Sequence, residues 1–134
     1  MLLTNEWGVE AMTHTNYTHY TWDEFLRDMY TIVIPALQLR AREFDGVWGP
    51  PVGGLVPATM LRHELNLPFL ISPQSKKTLI IDDIADSGNT LIHYRKHPIV
   101  TLFYFRKSIV TPMLWVHEKH HENEWIVFPW EKQN

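Results

Sequence analysis

The apolar residues of one long segment near the start of the chain recur at helical spacing. Positions 25, 29, 32, 33 and 37 are Phe, Met, Ile, Val and Leu, which places them on one face of a helix. Thr21, followed three positions later by Glu24, is a capping-box pattern at the start of that helix. The spacing therefore predicts a helix over residues 22–44, bent near Pro35 because proline removes a helical hydrogen bond.

Beyond residue 44, short apolar runs alternate with glycine-rich or polar segments. Residues 47–48 precede the sequence GPPVGG at 49–54, so we expect a strand, a glycine-rich loop and then a helix over residues 55–65. Residues 78–81 and 99–105 are almost wholly apolar, which is typical of strands buried on both faces of a parallel sheet. A helix is expected between them, at residues 90–95. This alternation indicates an α/β domain, a mostly parallel sheet flanked by helices.

The two ends of the chain lack this alternation. Residues 1–20 are polar and aromatic without a period, so an irregular lead-in is expected there. Residues 113–116 and 125–128 predict two short strands around a turn rich in His and Glu. We therefore predict a single domain over residues 1–134, with a lead-in at about 1–20 and a small C-terminal hood at about 108–134.

Composition narrows the class of protein. The chain has 134 residues, 45% of them hydrophobic, with 12 Lys and Arg against 15 Asp and Glu and no Cys. A near-neutral charge without a basic block argues against nucleic acid as a partner, and the lack of Cys excludes disulfides and a thiolate nucleophile. No apolar run reaches the roughly 18 residues that span a bilayer. The start also lacks a signal-peptide pattern, so we expect a cytoplasmic protein with no membrane partner.

The strongest chemical signal is the acidic segment after the apolar run at 78–81. Asp82 and Asp83 stand at the carboxyl end of the expected strand, where open α/β sheets bind ligands. The loop that begins at Asp86 offers hydroxyls and backbone N–H groups, which suit a phosphate. Because carboxylates repel phosphate, the acid pair should contact sugar hydroxyls or a divalent cation. The residues thus predict a site for a phosphorylated sugar; the alternative is a strand that ends in solvated Asp residues before a helix cap.

The segment LIIDDIADSGNT at 79–90 resembles the 5-phosphoribosyl-1-pyrophosphate (PRPP) motif of type I phosphoribosyltransferases. The resemblance implies that Asp82 and Asp83 bind the ribose hydroxyls. It also implies that Asp86 is the general base toward a purine. The implied 5-phosphate site consists of Asp86, Ser87, Gly88, Asn89 and Thr90.

Two further segments resemble the purine branch, most closely the short bacterial xanthine-guanine phosphoribosyltransferases. Residues 53–65 resemble the pyrophosphate loop and its helix, and WIVFPWE at 125–131 resembles the C-terminal segment of that branch. The resemblance implies Mg²⁺ as cofactor and a homodimer. The implied pyrophosphate-binding residues are Val52, Gly53 and Gly54; the base-binding residues are Lys107, Trp125 and Ile126, with Arg106 competing with Lys107 for the 6-oxo group; the metal ligands are Glu131, Asp82 and Asp83.

Two departures from that family leave the function open. Val52 stands where the family has Lys or Arg, and residues 71–78 leave only a tight turn in place of a long mobile loop. One candidate is a purine phosphoribosyltransferase that acts on a 6-oxopurine and releases pyrophosphate. Another is a catalytically weak PRPP- or nucleotide-binding regulator. The third is a zinc hydrolase, since His117, Glu118 and His121 match H-E-x-x-H, although their flanks favour strand over helix.

Overall fold

The computed structural model describes residues 2–4, 10–12 and 16–131, with side chains described for 16–131. Its centre is a four-stranded parallel sheet, and two two-stranded sheets lie outside it. In chain order the strands are β1 (Leu2–Thr4), β2 (Glu10–Met12), β3 (Asn16–His19), β4 (Gly46–Trp48), β5 (Thr78–Ala85), β6 (Ile99–Phe105), β7 (Leu114–Lys119) and β8 (Glu124–Val127).

The central sheet has the strand order β4-β5-β6-β7, and all three of its pairings are parallel. Every side chain of β6 is buried, as are the first five of β5. Burial on both faces accounts for the almost unbroken apolar runs in the sequence. The α/β class and the mostly parallel sheet are confirmed.

The expected helix at 22–44 is present in place but is not continuous. It consists of α1 (Trp22–Asp28), a π-helical turn (Met29–Val33), α2 (Ile34–Gln38) and a 3₁₀ turn (Ala41–Glu43). Thr21 caps the start, since its hydroxyl accepts a hydrogen bond from the Glu24 N–H at 3.1 Å. Pro35 lies in the first turn of α2, a position that tolerates proline. Because proline has no N–H group, the regular series of helical hydrogen bonds is interrupted there.

A second helix, α3 (Leu55–Leu65), matches its prediction and ends at Asn66 in the left-handed conformation. The helix predicted at 90–95 is present only as a short 3₁₀ helix, Leu91–Tyr94. Only a few residues separate it from Pro98, and the His97 N–H closes it by bonding the Tyr94 carbonyl at 2.8 Å. So short a segment favours the tighter turn. None of the helices in the described ranges is long and apolar enough to cross a membrane.

The prediction of an irregular lead-in over residues 1–20 is wrong where the structure describes this segment, because it contains three strands. β1 pairs with β2 in antiparallel register, and β3 pairs in parallel with β8 near the other end of the chain, with Tyr17 opposite Trp125. β7 runs to Lys119, further than expected, and belongs to the central sheet. The small sheet β3-β8 therefore joins a segment near the start of the chain to one near its end, so the expected C-terminal hood includes an N-terminal strand. Expectations for residues 1, 5–9, 13–15 and 132–134 lie outside the described residues.

A buried polar network joins the end of β3 to α1 and β7. The Tyr20 hydroxyl donates to Asp28 Oδ2 at 2.6 Å, and His117 Nε2 lies 2.7 Å from the same oxygen. Burial alone would raise the pKa of Asp28, but the hydrogen bonds from Tyr20, His117 and Arg27 lower it. The network fixes residues next to the β3-β8 sheet against the central sheet.

Candidate active site

The acid pair lies within the last residues of β5, because the strand runs on to Ala85. The Asp83 N–H donates to Asp82 Oδ1 at 2.9 Å, and the Ile84 N–H donates to Asp83 Oδ1 at 2.7 Å. Burial, followed by the charge of Asp83, raises the pKa of Asp82 to about 8. Burial also raises the pKa of Asp83. A buried and a half-buried carboxylate so close together disfavour full ionisation unless a cation or hydroxyl donors join them.

The glycine-rich loop after β4 contacts this acid pair. A Cβ placed on Gly53 would lie 2.3 Å from Asp83 Oδ2, so a side chain there would displace the carboxylate. The loop closes with the Gly54 N–H donating to the Pro50 carbonyl at 2.8 Å, and the Pro51–Val52 peptide bond is cis. The expected pyrophosphate loop therefore lies beside the expected ribose site, while the Val52 side chain is exposed.

The loop after β5 borders a cavity of about 210 Å³, which we call the loop cavity. Gly88 has a φ of +84°, and a Cβ there would lie 2.7 Å from Ser108 Oγ; only glycine suits both conditions. The Asn89 N–H donates to Ser87 Oγ at 3.2 Å. All expected 5-phosphate residues line this cavity, whose lining is Asp82, Asp83, Ile84, Asp86, Ser87, Gly88, Asn89, Thr90 and Leu91.

A second cavity, of about 110 Å³, adjoins the first. Three residues, Asp83, Ile84 and Asp86, line both. The second cavity combines an aromatic face and apolar side chains with charged groups; we call it the base cavity, and its lining is Asp83, Ile84, Asp86, Lys119, Glu124, Trp125, Ile126, Phe128 and Glu131. A ligand with a phosphate at one end and a flat ring at the other could span both cavities, with its middle beside Asp83.

Lys119, which the sequence reasoning missed, lies in the base cavity next to Asp86. Its Nζ is 2.9 Å and 3.1 Å from the two Asp86 carboxylate oxygens and 4.9 Å from the centroid of the Phe105 ring. The Lys119 side chain is only 5% exposed. The available signal was its position: a strand continued through residue 119 would end at the same sheet edge as β5.

The structure does not bring Lys107 to the base cavity. Its side chain is 68% exposed and its Nζ lies 3.1 Å from Glu122, outside the lining. Its competitor Arg106 is 79% exposed and pairs with Glu118 at 3.4 Å. Trp125 and Ile126, in contrast, both line the cavity as expected.

The residues expected to hold a divalent cation are acidic, but they do not provide a complete set of protein ligands for it. Glu131 lines the base cavity with Asp83, and burial, followed by the Asp83 charge, raises its pKa. The described residues include no group of three or more His, Asp or Glu side chains that could hold a metal ion alone. Mg²⁺ usually keeps several waters and takes one or two carboxylates plus phosphate oxygens, so this group fits an ion shared with a substrate.

The H-E-x-x-H segment does not form a zinc site. His117 and Glu118 lie on the β7 strand, whose alternation directs them to opposite faces. His117 contacts Asp28, and Glu118 pairs with Arg106. A zinc protease needs both His on one helical face, so the zinc hydrolase interpretation is wrong.

Comparison with known proteins agrees with this geometry. No protein-family model matches the chain. The xanthine-guanine phosphoribosyltransferase of Cereibacter sphaeroides is 28% identical, covering 91% of each chain; that of Chromohalobacter salexigens is 25% identical, covering 88% of this chain and 85% of its own length. A purine phosphoribosyltransferase structure from Pyrococcus horikoshii superimposes with a TM-score of 0.76 at 23% identity, covering 90% of this chain and 97% of that one.

The chain has the fold of the type I phosphoribosyltransferases, with the acid-and-glycine site at the end of β5. Its sequence is similar to the xanthine-guanine phosphoribosyltransferases of the purine branch. The enzyme class expected from the sequence, a pentosyltransferase, is confirmed by these likenesses.

Proposed function

We propose that the chain transfers the 5-phosphoribosyl group of PRPP to a 6-oxopurine base and releases pyrophosphate. The observation that carries the proposal is the adjacency of the two cavities. The loop cavity suits the 5-phosphate, the base cavity suits a flat heteroaromatic ring, and both share Asp83, Ile84 and Asp86. The ribose of the substrate would lie between them, beside the acid pair.

Each part of the site has a role in this reaction. Asp82 and Asp83 accept hydrogen bonds from the ribose hydroxyls, which relieves the repulsion between the two adjacent carboxylates. The loop around Gly53 lies against Asp83, so the pyrophosphate group is held next to C1 of the ribose. At C1 the bond to the pyrophosphate oxygen breaks and a bond to a purine nitrogen forms. The proton lost by the purine ring passes to the Asp86 carboxylate.

Mg²⁺ is the proposed cofactor. Asp82, Asp83 and Glu131 are the carboxylates that would hold it, and the ion would neutralise the charge of the pyrophosphate leaving group. The raised pKa values of all three acids support the proposal, because a nearby cation relieves such crowding. Activity should therefore disappear when a chelator removes Mg²⁺ and return when Mg²⁺ is added back.

A second candidate, a catalytically weak PRPP- or nucleotide-binding regulator, is favoured by one specific observation. Residues 72–77 form a turn at the amino end of β5, closed by the Thr78 N–H donating to the Ser75 carbonyl at 3.1 Å. Lys76 and Lys77 line a cavity with Arg40 and Lys96, away from the acid pair. This segment therefore provides no lid, and lid closure is a common way to exclude water during the reaction.

One assay separates the two candidates. The protein is incubated with Mg²⁺, PRPP and, in turn, guanine, xanthine, hypoxanthine, adenine, uracil and orotate, and nucleotide formation is measured. We expect turnover with one or more of the 6-oxopurines. Binding of PRPP or a nucleotide without turnover of any base would contradict the transferase proposal and leave the regulator.

The Asp83→Asn variant tests the site itself. We expect a loss of about 100-fold or more in kcat/KM for PRPP, because Asp83 borders both cavities and its charge-assisted hydrogen bonds to ribose disappear. Asp23→Asn, a neutralised exposed acid in the first turn of α1, is the matched control and should keep wild-type kinetics. Equal kinetics in the two variants would mean that the acid pair is not the ribose site.

A further inference from the structure

We propose that Tyr20, Asp28 and His117 are positioning residues for the base. In this proposal their hydrogen bonds hold the small sheet β3-β8 against the central sheet, at the separation at which the base cavity fits a flat ring. None of the three residues lines either cavity, so their effect on the base passes through the residues of β8. The inference rests on the proposed function and adds the support on which the shape of the base cavity depends.

The base cavity lies between two separate sheets. Trp125 and Ile126 of β8 line it, as does Phe128 directly after that strand, whereas Lys119 of the lining ends β7 in the central sheet. Among the described strands, β8 pairs with β3 and has no backbone ladder to the central sheet. The width of the cavity therefore depends on side-chain contacts between the two sheets.

Tyr20 connects the small sheet to α1. Its N–H donates to the Val127 carbonyl at 2.9 Å, and its ring meets the Phe128 ring edge-on, with the centroids 5.9 Å apart. At the far end of the same side chain, the hydroxyl donates to Asp28 Oδ2 at 2.6 Å. The position of Phe128, which lines the base cavity, is thereby tied to the position of Asp28.

His117 connects the same carboxylate to the central sheet. Its Nε2 lies 2.7 Å from Asp28 Oδ2, and it stands opposite Phe103 in the pairing of β7 with β6. His117 and Lys119 are two positions apart on β7, so they share one face of the strand. The network is therefore attached to the strand face that also reaches the base cavity. This gives a role to the first histidine of the H-E-x-x-H segment.

The Asp28 carboxylate makes these connections directional. Its side chain is 2% exposed; Oδ1 accepts from Arg27, and Oδ2 contacts both Tyr20 and His117. A buried carboxylate is costly unless it is hydrogen-bonded, so a shift of the small sheet that breaks the Tyr20 bond is opposed. Apolar contacts between the sheets are non-directional, whereas hydrogen bonds require a set distance and angle. The network therefore favours one placement of β8 relative to the central sheet.

The experiment removes these hydrogen bonds one at a time. Tyr20→Phe keeps the ring and loses the hydroxyl; its matched control is Tyr30→Phe, which loses an exposed hydroxyl that bonds Glu64 of α3 at 2.9 Å. His117→Leu loses both ring nitrogens, whereas His117→Gln keeps a donor and an acceptor. The measurements are dissociation constants for GMP and ribose 5-phosphate by isothermal titration calorimetry, KM for guanine and for PRPP, and the melting temperature.

We expect Tyr20→Phe and His117→Leu each to weaken GMP binding and to raise KM for guanine by about 5- to 10-fold, as for the loss of a hydrogen bond. Binding of ribose 5-phosphate and KM for PRPP should stay within about 2-fold, because the lining of the loop cavity comes from residues 82–91. His117→Gln should recover most of the GMP affinity, and Tyr30→Phe should keep wild-type values.

A merely structural role for the network would lower the melting temperature without a selective loss of GMP binding. That result, or equal weakening of GMP and ribose 5-phosphate, would overturn the proposal. His117 is 36% exposed, so the two His117 variants decide the test if Tyr20→Phe does not fold.

A double variant tests whether the two side chains act through one carboxylate. Tyr20→Phe combined with His117→Leu should weaken GMP little more than either substitution alone, because both act on Asp28 and their effects are coupled. If the two losses add in full, Tyr20 and His117 act separately, and the proposed network is wrong.

Failure of this proposal and failure of the proposed function give different results. If the wild-type protein transfers to no base, but binds GMP more tightly than ribose 5-phosphate and loses that difference in Tyr20→Phe, the transferase proposal fails and the positioning proposal stands. If the wild-type protein forms nucleotide and both variants bind GMP as it does, the positioning proposal alone is wrong. A wild-type protein that binds GMP no more tightly than ribose 5-phosphate also contradicts it, because the base cavity then adds no affinity.

Discussion

The phosphate half and the base half of the site differ in how their residues are distributed along the chain. The loop cavity is lined by residues 82–91 with one position missing, a single segment that leaves β5. The base cavity takes side chains from the end of β5, the end of β7, β8 and the segment after it. The first half is therefore a local structure, and the second depends on the order of strands in two sheets.

The halves also differ in charge balance. In the phosphate half, Asp82 and Asp83 are two carboxylates with raised pKa values. In the base half, Asp86 is already paired with Lys119. A ligand or cation would relieve the repulsion in the first arrangement, whereas the charges of the second are already paired before a ligand binds. Binding strength and base choice are thus expected to respond to different substitutions.

The largest effect is expected from Gly53→Ala, which acts on the phosphate half through the backbone. The added methyl would lie 2.3 Å from Asp83 Oδ2, so the carboxylate or the loop must move. A displacement of about 1 Å can reduce a rate by roughly 100-fold, and we expect that loss in kcat/KM for PRPP from steady-state kinetics. The ratio of activities with guanine and adenine should change far less, since Gly53 does not line the base cavity and the displaced Asp83 is one of nine residues that do.

Thr59→Ala, at an exposed position in α3, is the control for Gly53→Ala. It should keep wild-type kinetics. If Gly53→Ala changes base preference instead of PRPP use, the separation between the two halves is wrong.

A smaller effect is expected from Trp125→Ala, which acts on the base half. Trp125 lines the base cavity and is 41% exposed, and stacking of a base on an aromatic ring is worth about 1–3 kcal/mol. We expect GMP to bind about 10-fold more weakly in isothermal titration calorimetry, with ribose 5-phosphate unaffected. Trp22→Ala removes a tryptophan that is 48% exposed on α1, and it should leave both affinities unchanged.

The Trp125 prediction has a clear contrary result. If Trp22→Ala and Trp125→Ala weaken GMP equally, the loss reflects a general change of the fold. If Trp125→Ala weakens ribose 5-phosphate as much as GMP, the ring does not contact the base.

The same contrast explains what the sequence could predict. The acids of β5 and the loop to Thr90 are contiguous, so strand position and residue type were sufficient to place them. The buried strands were found because burial on both faces leaves an apolar run. The position of Lys119 in the base cavity was missed because it depends on β7 pairing with β6, a long-range contact that local pattern does not encode. The pairing of β3 with β8 was missed for the same reason: it joins positions over 100 residues apart.

Lys107 is the opposite case, a residue that the sequence placed at the base and that lies outside the base cavity. Its place in the sequence after β6 suggested a base contact, but the chain turns at the end of that strand and the Ser108 N–H bonds the Phe105 carbonyl at 2.9 Å. The turn leaves the Lys107 side chain in solvent beside Glu122. The turn after a strand sets the direction of the side chains in it. Residue type alone did not reveal the geometry of this turn.

The smallest expected effect concerns stability and separates Asp82 from the base half. The pKa of Asp82 is about 8 in the folded chain against an ordinary value of 3.8. Between those values the folded chain holds a proton that the unfolded chain has released, so the free energy of unfolding falls as pH rises.

Asp82→Asn removes this pH-dependent loss of stability and should raise the melting temperature by about 4 °C at pH 8, which corresponds to roughly 1 kcal/mol. The gain should vanish well below pH 3.8, where both states are protonated, and calorimetric melting from that acidic range up to pH 8 measures it. Asp23→Asn should show no such pH-dependent gain, and a lower melting temperature for Asp82→Asn at pH 8 would mean that Asp82 stabilises the fold as a carboxylate.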